Sequence, residues 1–266
     1  MRIHHLILVL SLWLSVFPAY GGASETLVVK ISTGEYPPFT SEGLASKGFV
    51  NNIVKEAFAL EGVKTEFRFL PWQRAYRDMV DGSVQASSYW YKNDARAAVA
   101  LFSDEILEES FYFFSLKRPT PLSWNTLTDL KDLKIGVTQG YTYTDEFWLL
   151  GEQETLHLDI VKTDDINLRK LFNRRIDIFP MGYEAGLTLL MNKYPHNVRD
   201  QVVLVKKPLM TQKAYLLVSK KTINAEAIIM SFNKGLKSLK RSGRYQSLYQ
   251  DRFIKNVPEH LRIPAK

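Results

Sequence analysis

The feature that most constrains this chain is a repeated alternation of short apolar runs with amphipathic stretches, punctuated by turn residues. Thr26-Leu-Val-Val-Lys-Ile-Ser32 has the character of a buried strand. Gly34-Glu-Tyr-Pro-Pro-Phe39 cannot extend it, because paired prolines remove ladder donors, so a loop follows. Phe49, Ile53, Val54, Ala57 and Phe58 then recur at helical spacing, and Lys64 to Leu70 alternates as a strand. Pro71 opens a helix carrying Trp72, Ala75, Tyr76, Met79 and Val80. A strand-helix-strand rhythm of this kind predicts a parallel sheet.

The rhythm returns with Lys134-Ile-Gly-Val137 as strand, Tyr141 to Leu150 as helix, and a further helix through Ile166, Leu168, Leu171 and Phe172. Val80-Asp-Gly-Ser-Val-Gln-Ala86 and Phe172-Asn-Arg-Arg-Ile-Asp-Ile178 each join a helix end to an apolar strand by a short polar turn, a faint internal echo. A strand, Ala214 to Ser219, and an amphipathic helix with Ile228, Ile229, Phe232, Leu236 and Leu239 on one side close the pattern. The expectation is an α/β protein of two like lobes joined by strands, with the chain end returning to the first lobe.

Met1-Arg-Ile-His-His5, an apolar run from Leu6 to Phe17 and small residues through Ala23 read as a secretory signal peptide over residues 1–23, cleaved after Ala23 or Gly21. The run is about a dozen residues, short of the roughly 20 that span a bilayer. The chain has no cysteine, which excludes disulfide scaffolds, thiolate metal sites, cysteine nucleophiles and lipid attachment at a processed cysteine. A secreted protein without a lipid anchor stays with its cell where an outer membrane retains it, so the expected compartment is a Gram-negative periplasm. Of 35 Lys and Arg, processing removes Arg2 and no acidic residue, leaving 34 against 28 Asp and Glu, a net +6. The basic residues are spread along the chain, as on a solvated surface, with no dense phosphate-tracking cluster, so no nucleic acid partner is expected.

In their order and spacing several pieces resemble the family 3 extracellular solute-binding proteins, the amino-acid-binding receptors of ABC importers. They are Gly34-Glu-Tyr-Pro-Pro-Phe39, Gly48-Phe49, Asp81-Gly-Ser-Val-Gln-Ala86, Arg96-Ala-Ala-Val-Ala-Leu-Phe-Ser-Asp104, Leu130-Lys-Asp-Leu-Lys-Ile-Gly-Val-Thr-Gln-Gly140 and Gly243-Arg-Tyr-Gln-Ser-Leu-Tyr249. The resemblance covers essentially the whole mature chain. It implies a two-lobed periplasmic-binding-protein fold of type II, each lobe a mostly parallel sheet flanked by helices, with a ligand cleft between them. The crossings fall near Leu107 to Ser110 and Thr211 to Ala214. Residues 24–108 and 213–266 then form one lobe and residues 109–212 the other. Open α/β sheets independently favour ligands outside the carboxyl ends of their strands.

The resemblance implies that Arg96 grips a ligand carboxylate, a role suited to a planar, permanently charged fork of donors. Taken alone, Arg96 could equally pair with Asp94 or Asp104 on the surface, and the stretch from Ser88 to Arg96 is one residue longer than in the relatives. Tyr141 and Thr142 fall at the expected start of a helix, where free amides attract anions, although a helix cap is the common use of such a threonine. Trp72 and Tyr36 stand where aromatic residues cover the ligand, and Ser87, Ser88, Tyr89 and Trp90 lie at a strand end that offers it hydroxyls and backbone groups. Arg74 lies near the cleft or on the solvent side of its helix. Relatives that bind α-amino acids hold the ammonium with two acids, whose positions here fall on Thr33 and Gly182. Glu35 and Glu184, two residues from each, are the candidate substitutes.

The expected ligand is therefore a small carboxylate-bearing molecule whose ammonium is absent or displaced. The expected partner is an inner-membrane ABC permease, with a sensor or chemoreceptor as the alternative, and the protein is expected to be a monomer without cofactor or metal. An enzymatic alternative is a cyclohexadienyl-dehydratase-like activity on the same fold. Against it, His4, His5, His157, His196 and His260 form no recognisable catalytic group, and no nucleophile elbow, phosphate loop or zinc spacing occurs.

Overall fold

The computed structural model describes residues 27–251 and 257–263, so the expected signal peptide lies outside the described residues. The first rhythm becomes β1 (Val28–Thr33), α1 (Phe49–Leu60), β2 (Lys64–Phe69), α2 (Trp72–Val80) and β3 (Ala86–Tyr91). β1 pairs in parallel with β2 on one side and with β3 on the other. The edge strand β2 alternates exposed and half-buried positions, whereas β3, covered on both faces, buries every residue but Tyr91. A short α3 (Asp94–Val99), capped by the Asn93 side chain, and β4 (Ala100–Phe102) complete this unit.

β5 (Leu107–Leu116) leads into the second unit: β6 (Lys134–Thr138), α4 (Asp145–Glu152), β7 (His157–Val161), α5 (Asp164–Phe172), β8 (Ile178–Gly182), α6 (Tyr183–Lys193), α7 (His196–Arg199) and β9 (Val202–Leu204). β6 is parallel to β7 and β8, so both units have parallel cores. β10 (Met210–Ser219) leads back, followed by α8 (Ala225–Arg241) and α9 (Arg244–Asp251). Leu107 to Phe111 of β5 pairs antiparallel with Ala214 to Met210 of β10. Beyond that segment β10 pairs with β3 and β4, while β5 pairs with β8 and β9. One sheet path, β2-β1-β3-β10-β5-β8-β6-β7, thus runs through two lobes, the type II arrangement expected from the sequence.

One expected boundary is corrected. The helix anticipated from Tyr141 starts at Asp145, with Thr144 as its cap, its Oγ1 accepting from Phe147 N at 3.2 Å. Tyr143 delays it: its buried hydroxyl accepts from Thr138 N at 3.2 Å and donates to Pro180 O at 3.3 Å. The chain must dip into the core before a helix can begin, which leaves Tyr141 and Thr142 in a loop.

In the first lobe α8 lies against α1, with the rings of Phe58 and Phe232 tilted against each other at 5.4 Å. Gly235 permits that approach, since a Cβ there would sit 1.9 Å from the Ala57 carbonyl oxygen. Helix propensity favours alanine over glycine by about 1 kcal/mol, but overpacking against a rigid backbone costs about 1–3 kcal/mol, and the clash wins. Gly235→Ala is therefore expected to lower stability by about 1–2 kcal/mol, read as a fall in urea midpoint at unchanged m-value. A midpoint at or above the parent's would show that α1 and α8 separate freely.

Candidate ligand-binding site

The strand ends of both lobes converge beside the β5–β10 crossing. In β3, Trp90 pairs opposite Tyr215 and Ser88 opposite Leu216, so Tyr89 is left over as a bulge. Its φ is +67°, a left-handed backbone that costs a non-glycine residue about 1–3 kcal/mol. The extra residue re-aims β3 so that Tyr89, Trp90 and Tyr91 all line one chamber, together with Tyr36, Trp72, Phe111, Tyr141, Thr142, Gly140 and Arg96. Tyr36 is held by the turn that follows β1, where its N–H donates to Thr40 O at 2.7 Å. Its ring meets Tyr89 at 5.5 Å and, across the lobes, Tyr141 at 5.8 Å edge-on. Trp72 packs edge-on to Trp90 at 5.3 Å, over Gly34, whose missing side chain leaves room for the indole.

Arg96 reaches the chamber from α3. Its Nη1 donates to Tyr91 O at 2.7 Å and its Nη2 to Thr142 Oγ1 of the other lobe at 3.3 Å, with the guanidinium 5.0 Å over the Trp90 ring. Burial lowers its pKa from the ordinary arginine value, and it remains a cation at any working pH. Among the described residues no carboxylate lies within ion-pair distance of it, so it is not the surface partner of Asp94 or Asp104. The chamber is small, about 60 Å³, and adjoins an outer groove of about 610 Å³ that shares Trp72, Trp90, Arg96, Gly140 and Tyr141.

Other sequence candidates lie around this chamber without lining it. Ser87 Oγ donates to Ser32 O and accepts from Trp90 Nε1, and Ser88 Oγ donates to Asn51 Oδ1, so both buried hydroxyls brace the lobe. Glu35 is exposed and accepts from Glu42 N at 2.8 Å, while its carbonyl holds Trp72 Nε1 at 3.3 Å. Arg74 is exposed and pairs with Asp78 at 4.0 Å. Thr33 is fully buried, and its Oγ1 has no partner among the described residues. Glu184 stands in the first turn of α6.

Sequence reasoning missed the acid at the centre of this arrangement. Glu109, in the crossing strand and only 1% exposed, accepts from Tyr36 Oη at 3.1 Å, from Tyr91 Oη at 2.7 Å and from Tyr89 Oη. Burial, and next the negative charge of Glu184, push its carboxyl up to about 8, against the lowering effect of the tyrosine hydrogen bonds. A Cβ on Gly182 would lie 1.9 Å from Glu109 Oε1, so the glycine makes room for this carboxylate. The usable signal was the placement of Leu107-Glu-Glu-Ser-Phe111 in a strand: alternation turns Leu107, Glu109 and Phe111 to one face. A second missed acid, Asp164, accepts from Tyr141 Oη at 2.6 Å and Thr138 Oγ1 at 2.5 Å, and burial pushes it up to about 6. Among the described residues no cluster of His, Asp and Glu could hold a metal ion, and no helix is long and apolar enough to cross a membrane.

Two α/β lobes on paired crossing strands, with a polar-and-aromatic chamber between them, define a type II solute-binding fold. The chain belongs to the bacterial extracellular solute-binding proteins, family 3, whose pattern matches residues 28–255. No curated protein matches it. Among solved structures it is similar to an ancestral arginine-binding protein bound to arginine, at 21% identity over 85% of this chain and 98% of that one, TM-score 0.69. An arginine transport-system periplasmic binding protein from Legionella pneumophila matches at 21% identity over 85% and 100%, TM-score 0.68. A histidine kinase sensor domain similar to periplasmic binding proteins matches at 19% identity over 84% and 95%, TM-score 0.69.

The buried acids make stability pH-dependent in a defined sense. A carboxyl whose pKa is raised on folding keeps its proton in the folded state while the unfolded chain gives it up, so stability falls as pH rises from the unfolded to the folded value. For Glu109 that window runs from about 4.5 to about 8, and for Asp164 from about 3.8 to about 6. Urea midpoints are expected to decline between pH 6 and 8 in the parent, and this part of the decline should vanish in Glu109→Gln. A flat parent profile in that range would mean that Glu109 is already ionised in the folded protein.

Proposed function

We propose that this protein is a periplasmic receptor that holds a small carboxylate-bearing solute between its lobes and delivers it, unaltered, to an inner-membrane ABC permease. The observation that carries this reading is Arg96, a guanidinium without an anionic partner among the described residues, directed into an aromatic chamber at the lobe junction. A buried fork of donors favours a bidentate anion, and Thr142, already within reach of Nη2, adds a hydroxyl from the opposite lobe. Tyr36, Trp72, Trp90 and Tyr141 supply flat apolar walls. Contacts from both lobes can form together only when the lobes meet, so residues 24–108 with 213–266 and residues 109–212 act as two bodies turning on the β5–β10 segment. A chamber of about 60 Å³ is well below the roughly 300–1,000 Å³ of typical ligand pockets, which supports a parting of the lobes to admit the solute.

A second reading, presentation of the solute to a sensor, is favoured by the likeness to a histidine kinase sensor domain. Deleting the gene separates the two: a receptor for import takes high-affinity uptake with it, whereas a sensory protein takes only the response. Incubation with prephenate or arogenate should yield no product, and turnover would move the protein to the dehydratase reading.

Two measurements test the site. With a carboxylate identified by thermal-shift screening of refolded protein, Arg96→Ala should weaken binding by about 1.5–3 kcal/mol, roughly ten- to more than a hundredfold, and Arg96→Lys should recover only part. Parental affinity in both variants would place the anion elsewhere. Small-angle scattering should show a smaller radius of gyration at saturating ligand, and an unchanged radius with binding confirmed would remove lobe closure.

A further inference from the structure

Arg96 and Glu109 stand at opposite ends of one tyrosine. The guanidinium donates to the Tyr91 carbonyl, and the Tyr91 hydroxyl donates to Glu109 Oε2 at 2.7 Å. Neither group has an ion-pair partner among the described residues. A carboxylate this deeply buried is costly, and a glutamine would serve equally well if its only task were to fix phenol hydroxyls. The negative charge of Glu184 adds to that cost. What the pair lacks is a molecule bearing both signs.

We infer that Glu109 selects solutes carrying a cationic nitrogen, acting through the Tyr36, Tyr89 and Tyr91 phenols as the counter-charge to an ammonium bound against them. This rests on the carboxylate of the solute lying on Arg96. An ammonium has three donors, and three phenol oxygens converge on this carboxylate, each keeping acceptor capacity after donating to it. Donation to a carboxylate polarises each phenol and makes its oxygen a better acceptor, while the rings offer negative faces to a cation. Glu109 is thus a positioning residue, one layer behind the chamber wall. It takes the space that a side chain at position 182 would fill, so the negative charge of the site lies on the crossing strand.

Binding an ammonium favours the ionised acid, so the carboxyl releases a proton to solvent as the solute enters. Affinity for a cationic solute should therefore rise with pH up to about 8, the value to which burial pushes Glu109. The titratable groups around it are the three tyrosines, raised well above that range, and Glu184, with Asp164 behind Tyr141 raised to about 6.

The test is calorimetry at pH 7.5 with matched pairs differing only in the ammonium: L-phenylalanine against 3-phenylpropionate, L-leucine against 4-methylpentanoate, and L-arginine against 5-guanidinopentanoate. The parent is expected to prefer the amine in at least one pair by roughly tenfold or more, with a binding enthalpy that varies with the ionisation enthalpy of the buffer, as proton release requires. Glu109→Gln should lose the preference and the proton release while keeping its affinity for the deaminated acid. Equal affinity within every pair in the parent, or a preference that survives in Glu109→Gln, overturns the inference and leaves carboxylate binding intact. If no member of any pair binds, the binding reading falls and the inference falls with it. Should Glu109→Gln fail to fold, the parent's own profile decides: amine affinity rising from pH 6 to 8 beside a flat profile for the deaminated acid supports the role, and two flat profiles remove it.

Discussion

The antiparallel pairing of Leu107–Phe111 with Met210–Ala214 is the interaction on which the rest of the molecule depends. Two lobes with parallel cores would otherwise be separate bodies, because a parallel strand must be fed by a crossover on its own lobe. The crossing turns them into one sheet path and sets the strand ends of both lobes facing the same gap. Because the side-chain period of a strand is two, the same pairing decides that Glu109 and Phe111 face the gap while Glu108 and Ser110 turn away. The chemistry of the site and the connection between the lobes are thus fixed by one register.

Around that register the walls are aromatic and mutually braced. Phe39 stacks on Tyr36 at 5.7 Å and on Tyr89 at 5.1 Å, and Tyr89 meets Tyr91 at 5.7 Å. Tyrosines lose little side-chain entropy on ordering and give both apolar area and a polar tip, which suits a wall that must be rigid and still hydrogen-bond. The left-handed backbone of Tyr89 is accompanied by anchoring of its hydroxyl on Glu109, a hydrogen bond that offsets part of the local strain.

Much of the fold was legible in the sequence. The spacing of Phe49, Ile53, Val54, Ala57 and Phe58 is α1, and the echo of Val80–Ala86 in Phe172–Ile178 is a real likeness, each joining a helix to the strand beside β1 or β6. Arg96, Trp72, Tyr36, Tyr89, Trp90, Tyr141 and Thr142 were named from sequence and share one chamber. The helix start expected at Tyr141 falls instead at Asp145, because nothing in Gly140-Tyr-Thr-Tyr143 tells which tyrosine is drawn into the core, a choice made by Thr138 and Pro180. Glu109 was overlooked for a related reason, although strand alternation sets it on one face with Leu107 and Phe111. A glutamate within Leu107-Glu-Glu-Ser-Phe111 reads as a solvated position, and the neighbouring strand, with a glycine at 182, shows how one of the pair is accommodated facing inward.

That glycine has a consequence for how such sites can change over time. An acid grafted at position 182 would collide with the Glu109 carboxylate, and removing Glu109 first would strip three phenols of their common acceptor. The cost of each step therefore depends on whether the other has been taken, so the two positions are coupled. A lineage, or a designer, moving negative charge between these strands has reason to change both positions together. The two charge arrangements would then behave as alternative solutions that persist side by side on one scaffold.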